Sequence, residues 1–399
     1  MDVERARRRL RELLGDPASF VALHEPRIDG HAHAYVVDCL DSGWVSSVGA
    51  YVDRFERELA TYLGVRHAVA TVNGTAALHL ALHVVGVRPG DDVLIPTLTF
   101  VATANAVTAC GARPHLVEVT ERTLGVDPHA LAAYLDGAAE RRDEGTFDRA
   151  SGRRIAACVP MHTFGHPVEM EELLELCERW AIPVVEDAAE SLGSTRGGRH
   201  AGTFGRLGIL SFNGNKILTT GGGGAIVTDD EALARRAKHL STTAKVPHPY
   251  RFDHDEPAFN YRMPNLNAAL GVAQLERLDA AVEEKRRLAA AYREAFADVE
   301  GVEAFVEPSG TRSNYWLNAL LLDTPDTALR DALLERTNAD GLMTRPAWTP
   351  MHRLPMYADA PRMATPVAEA LVARIVNVPS SPALAAPAAA WRAARSGAR

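Results

Sequence analysis

Only four lysines occur in this chain, Lys216, Lys238, Lys245 and Lys285, so an amine that does covalent chemistry has few possible addresses. Lys238 and Lys285 fall on charged helical faces and Lys245 in a polar loop before Pro247; all three read as solvated surface residues. Lys216 differs. It closes the stretch Leu210-Ser211-Phe212-Asn213-Gly214-Asn215-Lys216 directly after an apolar run, with Gly221 to Gly224 close behind. At the end of a buried strand, desolvation favours the neutral amine that a Schiff base requires. A loop lysine paired with a carboxylate accounts for that segment equally well. Upstream, Val184-Val185-Glu186-Asp187-Ala188-Ala189-Glu190 puts an acid at the carboxyl end of another strand, the edge where open α/β sheets bind ligands. By itself this aspartate also suits a helix cap. Lysine and aspartate on two such edges are, however, the pair that a pyridoxal phosphate site requires: one forms an imine, the other keeps the ring nitrogen protonated. Asn73-Gly74-Thr75 lies between a strand and a helix, where backbone N–H groups and the helix dipole can hold a phosphate, although an ordinary capped helix explains the tripeptide alone.

These residues need a scaffold that brings strand ends together. Seven short apolar runs supply one: Ala68 to Val72, Val93 to Pro96, Pro114 to Val119, Ala156 to Pro160, Pro183 to Glu186, Leu207 to Phe212 and Ala225 to Thr228. Their near-continuous apolar character predicts strands covered on both faces, hence a mostly parallel seven-stranded sheet. Glu169 to Trp180 places Met170, Leu173, Leu174 and Cys177 on one stripe and reads as an amphipathic crossover helix. From Leu266 to Phe296 the spacing predicts one long helix leading out of the first domain, with Glu283 to Arg287 on its outside. A strand over Tyr315 to Leu322 and helices over Asp326 to Asn338 and Ala364 to Ile375 then make a smaller α+β domain. The division expected is 1–285, with an N-terminal helical extension, and 286–399. Asp136 to Arg154 reads as an exposed insertion, and the Ala- and Arg-rich tail from Ala385 as helical or frayed.

Composition narrows the function. With 47% apolar and 24% charged residues the chain is an ordinary globular protein, and its net charge of −8 leaves no electrostatic footprint for nucleic acid. The start lacks a signal-peptide core and no run of about 20 apolar residues follows, so a cytoplasmic protein without membrane contact is expected. Cys39, Cys110, Cys158 and Cys177 are far apart with no C-x-x-C pair, and read as buried hydrophobes. His31, His33, His248 and His254 lack carboxylates at ligand spacing, so no metal is expected. Neither the order of a P-loop nor a G-x-G-x-x-G after the first strand is present, which removes nucleotide hydrolysis and dinucleotide-dependent hydride transfer.

The motifs Asn73 to Leu78, Pro96 to Thr103, Glu186-Asp187-Ala188-Ala189, Ser211 to Lys216 and Asn260-Tyr261-Arg262-Met263-Pro264-Asn265, in this order, resemble the DegT/StrS nucleotide-sugar aminotransferases, fold-type I pyridoxal phosphate enzymes. The resemblance runs from about Leu23 to Pro382. His24-Glu25-Pro26, Trp44 to Gly49, Phe212 to Lys216 and Thr243 to Tyr250 look like the bacillosamine and legionaminic acid branch, which aminates C4 of a nucleotide-linked, usually UDP-linked, 4-keto-6-deoxy-N-acetylglucosamine.

The resemblance implies Lys216 as the Schiff-base lysine, Asp187 as the ring-nitrogen partner and Phe100 stacked on the ring. It implies Gly74, Thr75 and Ser211 around the phosphate, and Asn260 and Arg262 completing that site in a partner subunit, hence a homodimer with shared sites. L-Glutamate would be the donor. Glu190 stands where many members carry Gln or His beside the cofactor's phenolic oxygen, and a carboxylate there repels that oxygen unless protonated or turned away. Tyr250 and His352 are the candidates for substrate contact. Competing expectations are a GDP-linked or 3-keto sugar substrate, a sugar dehydratase, which that branch builds with His at the lysine position, and a cofactor-binding regulator without turnover.

Overall fold

The computed structural model describes residues 1–15 and 20–396. Seven strands form the main sheet: β1 (His67–Thr71), β2 (Asp92–Pro96), β3 (Arg113–Val117), β4 (Ile155–Cys158), β5 (Val185–Asp187), β6 (Leu207–Ser211) and β7 (Gly224–Thr228). A four-stranded ladder, β1-β7-β6-β5, continues into a three-stranded one, β4-β2-β3, through the parallel bridges Cys158↔Val184 and Met161↔Asp187. β7 runs antiparallel to both its neighbours, and the other six strands share one direction. β2 and β7 are buried at every position, as strands sandwiched between helical layers must be. On one side Leu78, Leu82 and Val107 pack with Ile95, Val185 and Ile209; elsewhere Leu131, Leu135, Leu173 and Leu176 pack with Leu94 and Val117. Each such side chain contributes about 1.5–3 kcal/mol by leaving water.

Shared direction decides where the chemistry sits. Because β1, β2, β4, β5 and β6 point the same way, the chain leaves each of them at one edge of the sheet. The carboxyl ends of β5 and β6 lie side by side, with Asp187 opposite Ile209. β7 enters at that same edge, and there Gly224 has a reason to be glycine: a Cβ would meet the Asn73 carbonyl carbon at 2.5 Å. The glycine run therefore lets β7 pass against the turn that opens the Gly74–Val84 helix.

A second sheet, β8 (Val302–Ala304), β9 (Asn318–Leu322), β10 (Arg345–Pro346) and β11 (Ile375–Val378), has the order β8-β9-β11-β10 and is antiparallel throughout. Several expectations are corrected here. The first helix, Val3–Leu14, does not extend the large domain; Leu10 and Leu13 pack in the second core with Leu288, Tyr292 and Leu333. The long helix is two, Asn265–Leu275 and Leu278–Phe296. At the junction Arg277 stays in the right-handed region but with an extended φ (φ −108, ψ −3), and the adjoining Glu276 carboxylate is held by His31, Tyr35 and Arg54. Tyr315 has φ 47, which no strand accommodates, so β9 starts only at Asn318. The helix expected to Ile375 ends at Val372, because Ile375 opens β11. Residues Ala139–Arg142 and Gly145–Asp148 pair as a hairpin, and the tail from Ala385 is helical to Ser396. All four cysteines are buried and free.

Lys285 is the largest departure. It is fully buried, and its Nζ donates to the carbonyls of Trp316, at 3.1 Å, and Ser380. Burial pushes its amine well below the usual lysine range. Helical period accounts for the error: Leu278, Val282, Leu288 and Tyr292 line the buried stripe, and residue 285 lies three from both Val282 and Leu288. No described helix is long and apolar enough to cross a membrane.

Candidate active site

A cavity of about 650 Å³ opens at the shared strand edge. Five of the six parallel strands, all but β3, feed it. Gly74 and Thr75 follow β1, Phe100 and Thr103 follow β2, Met161 follows β4, Asp187 and Glu190 end or follow β5, and Ser211 and Lys216 end or follow β6. The second sheet and the segments flanking it add Trp316, Arg345, Trp348 and Asn377.

Lys216 is held by a tight turn, its N–H donating to Asn213 O at 3.0 Å. Its Nζ donates to Glu190 Oε1 at 3.2 Å and lies 3.9 Å from the centre of the Trp316 ring. Trp316 is itself fixed, its indole N–H donating to Asn215 O at 2.8 Å. Glu190 Oε2 accepts the Phe164 N–H at 2.9 Å. Burial pushes the Glu190 carboxyl up to about 7, although Lys216 and the Phe164 N–H oppose it. Burial thus favours the protonated form of this group, which eases the placing of a carboxyl beside another oxygen.

Asp187 is buried, its Oδ2 accepting from the Thr103 hydroxyl at 2.8 Å and its Oδ1 from the Ala189 N–H at 3.2 Å. Burial raises this carboxyl above the usual range, against the hydroxyl, the N–H and nearby Lys216. Beside it, His162 accepts the Val168 N–H on Nδ1 and so donates from Nε2 to Glu186, at 2.9 Å. The end of the cavity at the helix start is built by close approach: Asn73 caps the Gly74–Val84 helix through Ala76 N at 2.7 Å, and a Cβ on Gly74 would meet Ser211 Cβ at 2.8 Å. The N–H groups of Gly74 and Thr75 precede the first intrahelical bond and are free to bind an anion.

Four other expected residues lie elsewhere. Asn260 and Arg262 do not line the cavity; Arg262 Nε donates to Asn260 Oδ1 at 3.0 Å, and Arg262 borders a separate cleft with Ser47, Val48 and Gly49. Tyr250 is 82% exposed and also outside. His352 does not line the cavity either; Thr97 and Glu369 lie at its two ring nitrogens. Sequence reasoning gave no role to Thr103, His162, Trp316, Arg345 or Asn377. Thr103 stood inside a quoted motif, but the others come from segments whose meeting only the fold decides.

A cavity holding a lysine amine, a buried acid, a helix start and Phe100 fits pyridoxal phosphate, and the model of the DegT/DnrJ/EryC1/StrS aminotransferase family matches residues 26–390. The chain belongs to this family. It is 37% identical to a GDP-perosamine synthase of Vibrio cholerae, over 91% of this chain and 95% of that protein. It is likewise 37% identical to EpsN of Bacillus subtilis, named as a candidate pyridoxal phosphate-dependent aminotransferase, over 85% of this chain and 84% of that one. Among solved structures, DesI in the presence of its TDP-sugar product superposes with a TM-score of 0.81 at 30% identity, covering 96% of this chain and 95% of that one. The protein is thus a sugar aminotransferase of fold type I, with pyridoxal phosphate as its cofactor.

Proposed function

We propose that the enzyme transfers the amino group of L-glutamate to C4 of a nucleotide-linked 4-keto-6-deoxy sugar. The observation that carries amino transfer is the meeting of Lys216 and buried Asp187 at neighbouring parallel strand ends. Lys216 Nζ is the amine that would hold the cofactor, with Asp187 at its ring nitrogen, Phe100 on its face, and Gly74, Thr75 and Ser211 around its phosphate. Bound there, pyridoxal phosphate supplies an electron sink for the carbon that loses or gains a proton. Lys216 Nζ would act as the base that takes the proton from the donor's α-carbon and as the acid that later delivers one to the sugar's C4. Glu190, 3.2 Å from Nζ, is placed to accept or return that amine's excess proton. Glutamate leaves as its keto acid before the sugar enters, so one cavity serves both.

Two readings of the nucleotide have separate support. The likeness to a GDP-perosamine synthase favours a GDP-linked sugar. The stretches Trp44 to Gly49 and Thr243 to Tyr250 favour a UDP-linked N-acetyl sugar of the bacillosamine and legionaminic acid type. A homodimer completes the proposal: Asn260 and Arg262 lie outside their own cavity, Arg262 in a cleft that also holds Val48, 61% exposed, and they would reach a partner's phosphate. Incubation with glutamate and a panel of GDP-, UDP- and dTDP-linked 4-keto sugars, followed by mass spectrometry, tests the reading. Amination at C4 of one of them is expected; exclusive turnover of a 3-keto sugar would overturn it.

A further inference from the structure

Arg345 and Asn377 are Cα partners across β10 and β11, and both line the cavity. Of the lining residues only Lys216 and Arg345 are cationic, and they are placed differently. Lys216 has a carboxylate partner. Arg345 has none among the described residues: its Nη1 donates to Asn338 Oδ1 at 2.9 Å and Thr344 O at 2.8 Å, fixing the guanidinium while leaving Nε and Nη2 unspent. Asn377 is 3% exposed, and its amide N–H donates to Pro346 O at 3.3 Å. Its Oδ1 is buried without a hydrogen-bond partner. A buried, unpaired acceptor is costly and calls for an explanation, and here it stands in a ligand cavity.

A free donor fork beside a free acceptor restricts the ligand. A carboxylate or phosphate satisfies Arg345 but sets its oxygens against Asn377 Oδ1, and an ammonium does the reverse. A hydroxyl satisfies both, because its oxygen accepts from the guanidinium while its O–H donates to the amide. Trp348 adds an apolar face on the same segment, with its ring centre 6.1 Å from that of Phe100. A sugar ring offers this combination, whereas glutamate has no hydroxyl. On a 4-keto-6-deoxy hexose the hydroxyl next to the reacting carbonyl is at C3, since C5 carries the methyl carbon and the ring oxygen.

We propose that Arg345 and Asn377 together bind and select the C3 hydroxyl of the sugar, an inference that rests on the C4 reading above. Arg345→Gln and Asn377→Leu, loaded with cofactor, are compared with wild type by calorimetric binding of the 4-amino-6-deoxy sugar nucleotide and of its 3-deoxy analogue. The glutamate half-reaction is followed by absorbance. Each variant should bind the hydroxylated sugar about tenfold more weakly, a hydroxyl-recognising pair having lost one partner. The 3-deoxy analogue should weaken wild type by a similar factor and the variants little further, with the glutamate half-reaction within about twofold of wild type. Unchanged sugar binding in Arg345→Gln, whose side chain is exposed and whose fold is not at stake, would overturn the proposal. So would a loss confined to glutamate, which marks a carboxylate site. A wild type that shows this hydroxyl dependence yet aminates another carbon would contradict the proposed function and leave the pair's role standing.

Discussion

Trp316 stands between two lysines that burial treats differently. Its ring faces Lys216 Nζ at 3.9 Å, and its backbone carbonyl accepts from Lys285 Nζ at 3.1 Å. Lys216 keeps 12% of its side chain exposed, in a cavity, with Glu190 as a partner. Lys285 is closed off, and among the described residues its Nζ is held by the carbonyl oxygens of Trp316 and Ser380. Desolvation alone makes an amine neutral; access and a nearby acid make it useful. The Lys285 side fastens the Leu278–Phe296 helix to the backbone at Trp316 and Ser380, and the Lys216 side is where chemistry is proposed.

Exchanging the two lysines for alanine should separate these roles most widely. Lys216→Ala should lose amino transfer by three orders of magnitude or more, about 4 kcal/mol in barrier, while melting near wild type. Lys285→Ala should lose about 2–5 kcal/mol of stability, from a new cavity and two carbonyls without a donor, and retain turnover in its folded fraction. Denaturant titration beside steady-state kinetics distinguishes them, and a stable but inactive Lys285→Ala would erase the contrast.

Asp187→Asn probes the other half of the reactive side. The amide keeps a hydrogen bond and loses the charge, so cofactor should still bind while the glutamate half-reaction slows by about two orders of magnitude or more. A near-normal single-turnover rate would assign the task to another acid.

The two neighbourhoods were not equally legible in the sequence. All seven main strands lie within the runs read as apolar or one residue beyond them, since a strand buried on both faces announces itself. The strand-end residues Asp187 and Lys216 follow from that directly. Lys285 was misread because its flanking charges, Glu283 to Arg287, mask a stripe position that spacing from Val282 and Leu288 gives. Asn377 on β11 and Arg345 on β10 carry no local mark at all; their meeting depends on the pairing of two strands some thirty residues apart. The break at Arg277 likewise depends on partners from 222 to 245 residues away that hold Glu276.

Completeness gives a third way to sharpen the comparison. The Lys285 contacts close within one chain, whereas the proposed phosphate site needs Arg262 of a second copy. Mixing Lys216→Ala with Arg262→Ala subunits should restore about a quarter of wild-type activity, since half the dimers are hybrids with one native site each. Confirmed hybrids without activity would place Arg262 outside the shared site.

The smallest effect concerns Glu190. Its carboxyl is raised to about 7 in the folded protein, from an ordinary 4.5, by burial. The folded state therefore binds the proton more tightly than the unfolded one, so the group costs nothing below its unfolded value and costs most above 7. In protein stripped of cofactor, Glu190→Gln should gain stability relative to wild type by about 3 kcal/mol as pH rises across that window. Parallel pH profiles for the two proteins would contradict the assignment.

Borohydride reduction of the cofactor-loaded enzyme, followed by proteolysis and mass spectrometry, tests the central claim most directly. The pyridoxyl label should be found on the peptide containing Lys216 and be absent from those containing Lys238, Lys245 and Lys285. Label on Lys285, or label persisting in Lys216→Ala at another lysine, would contradict it.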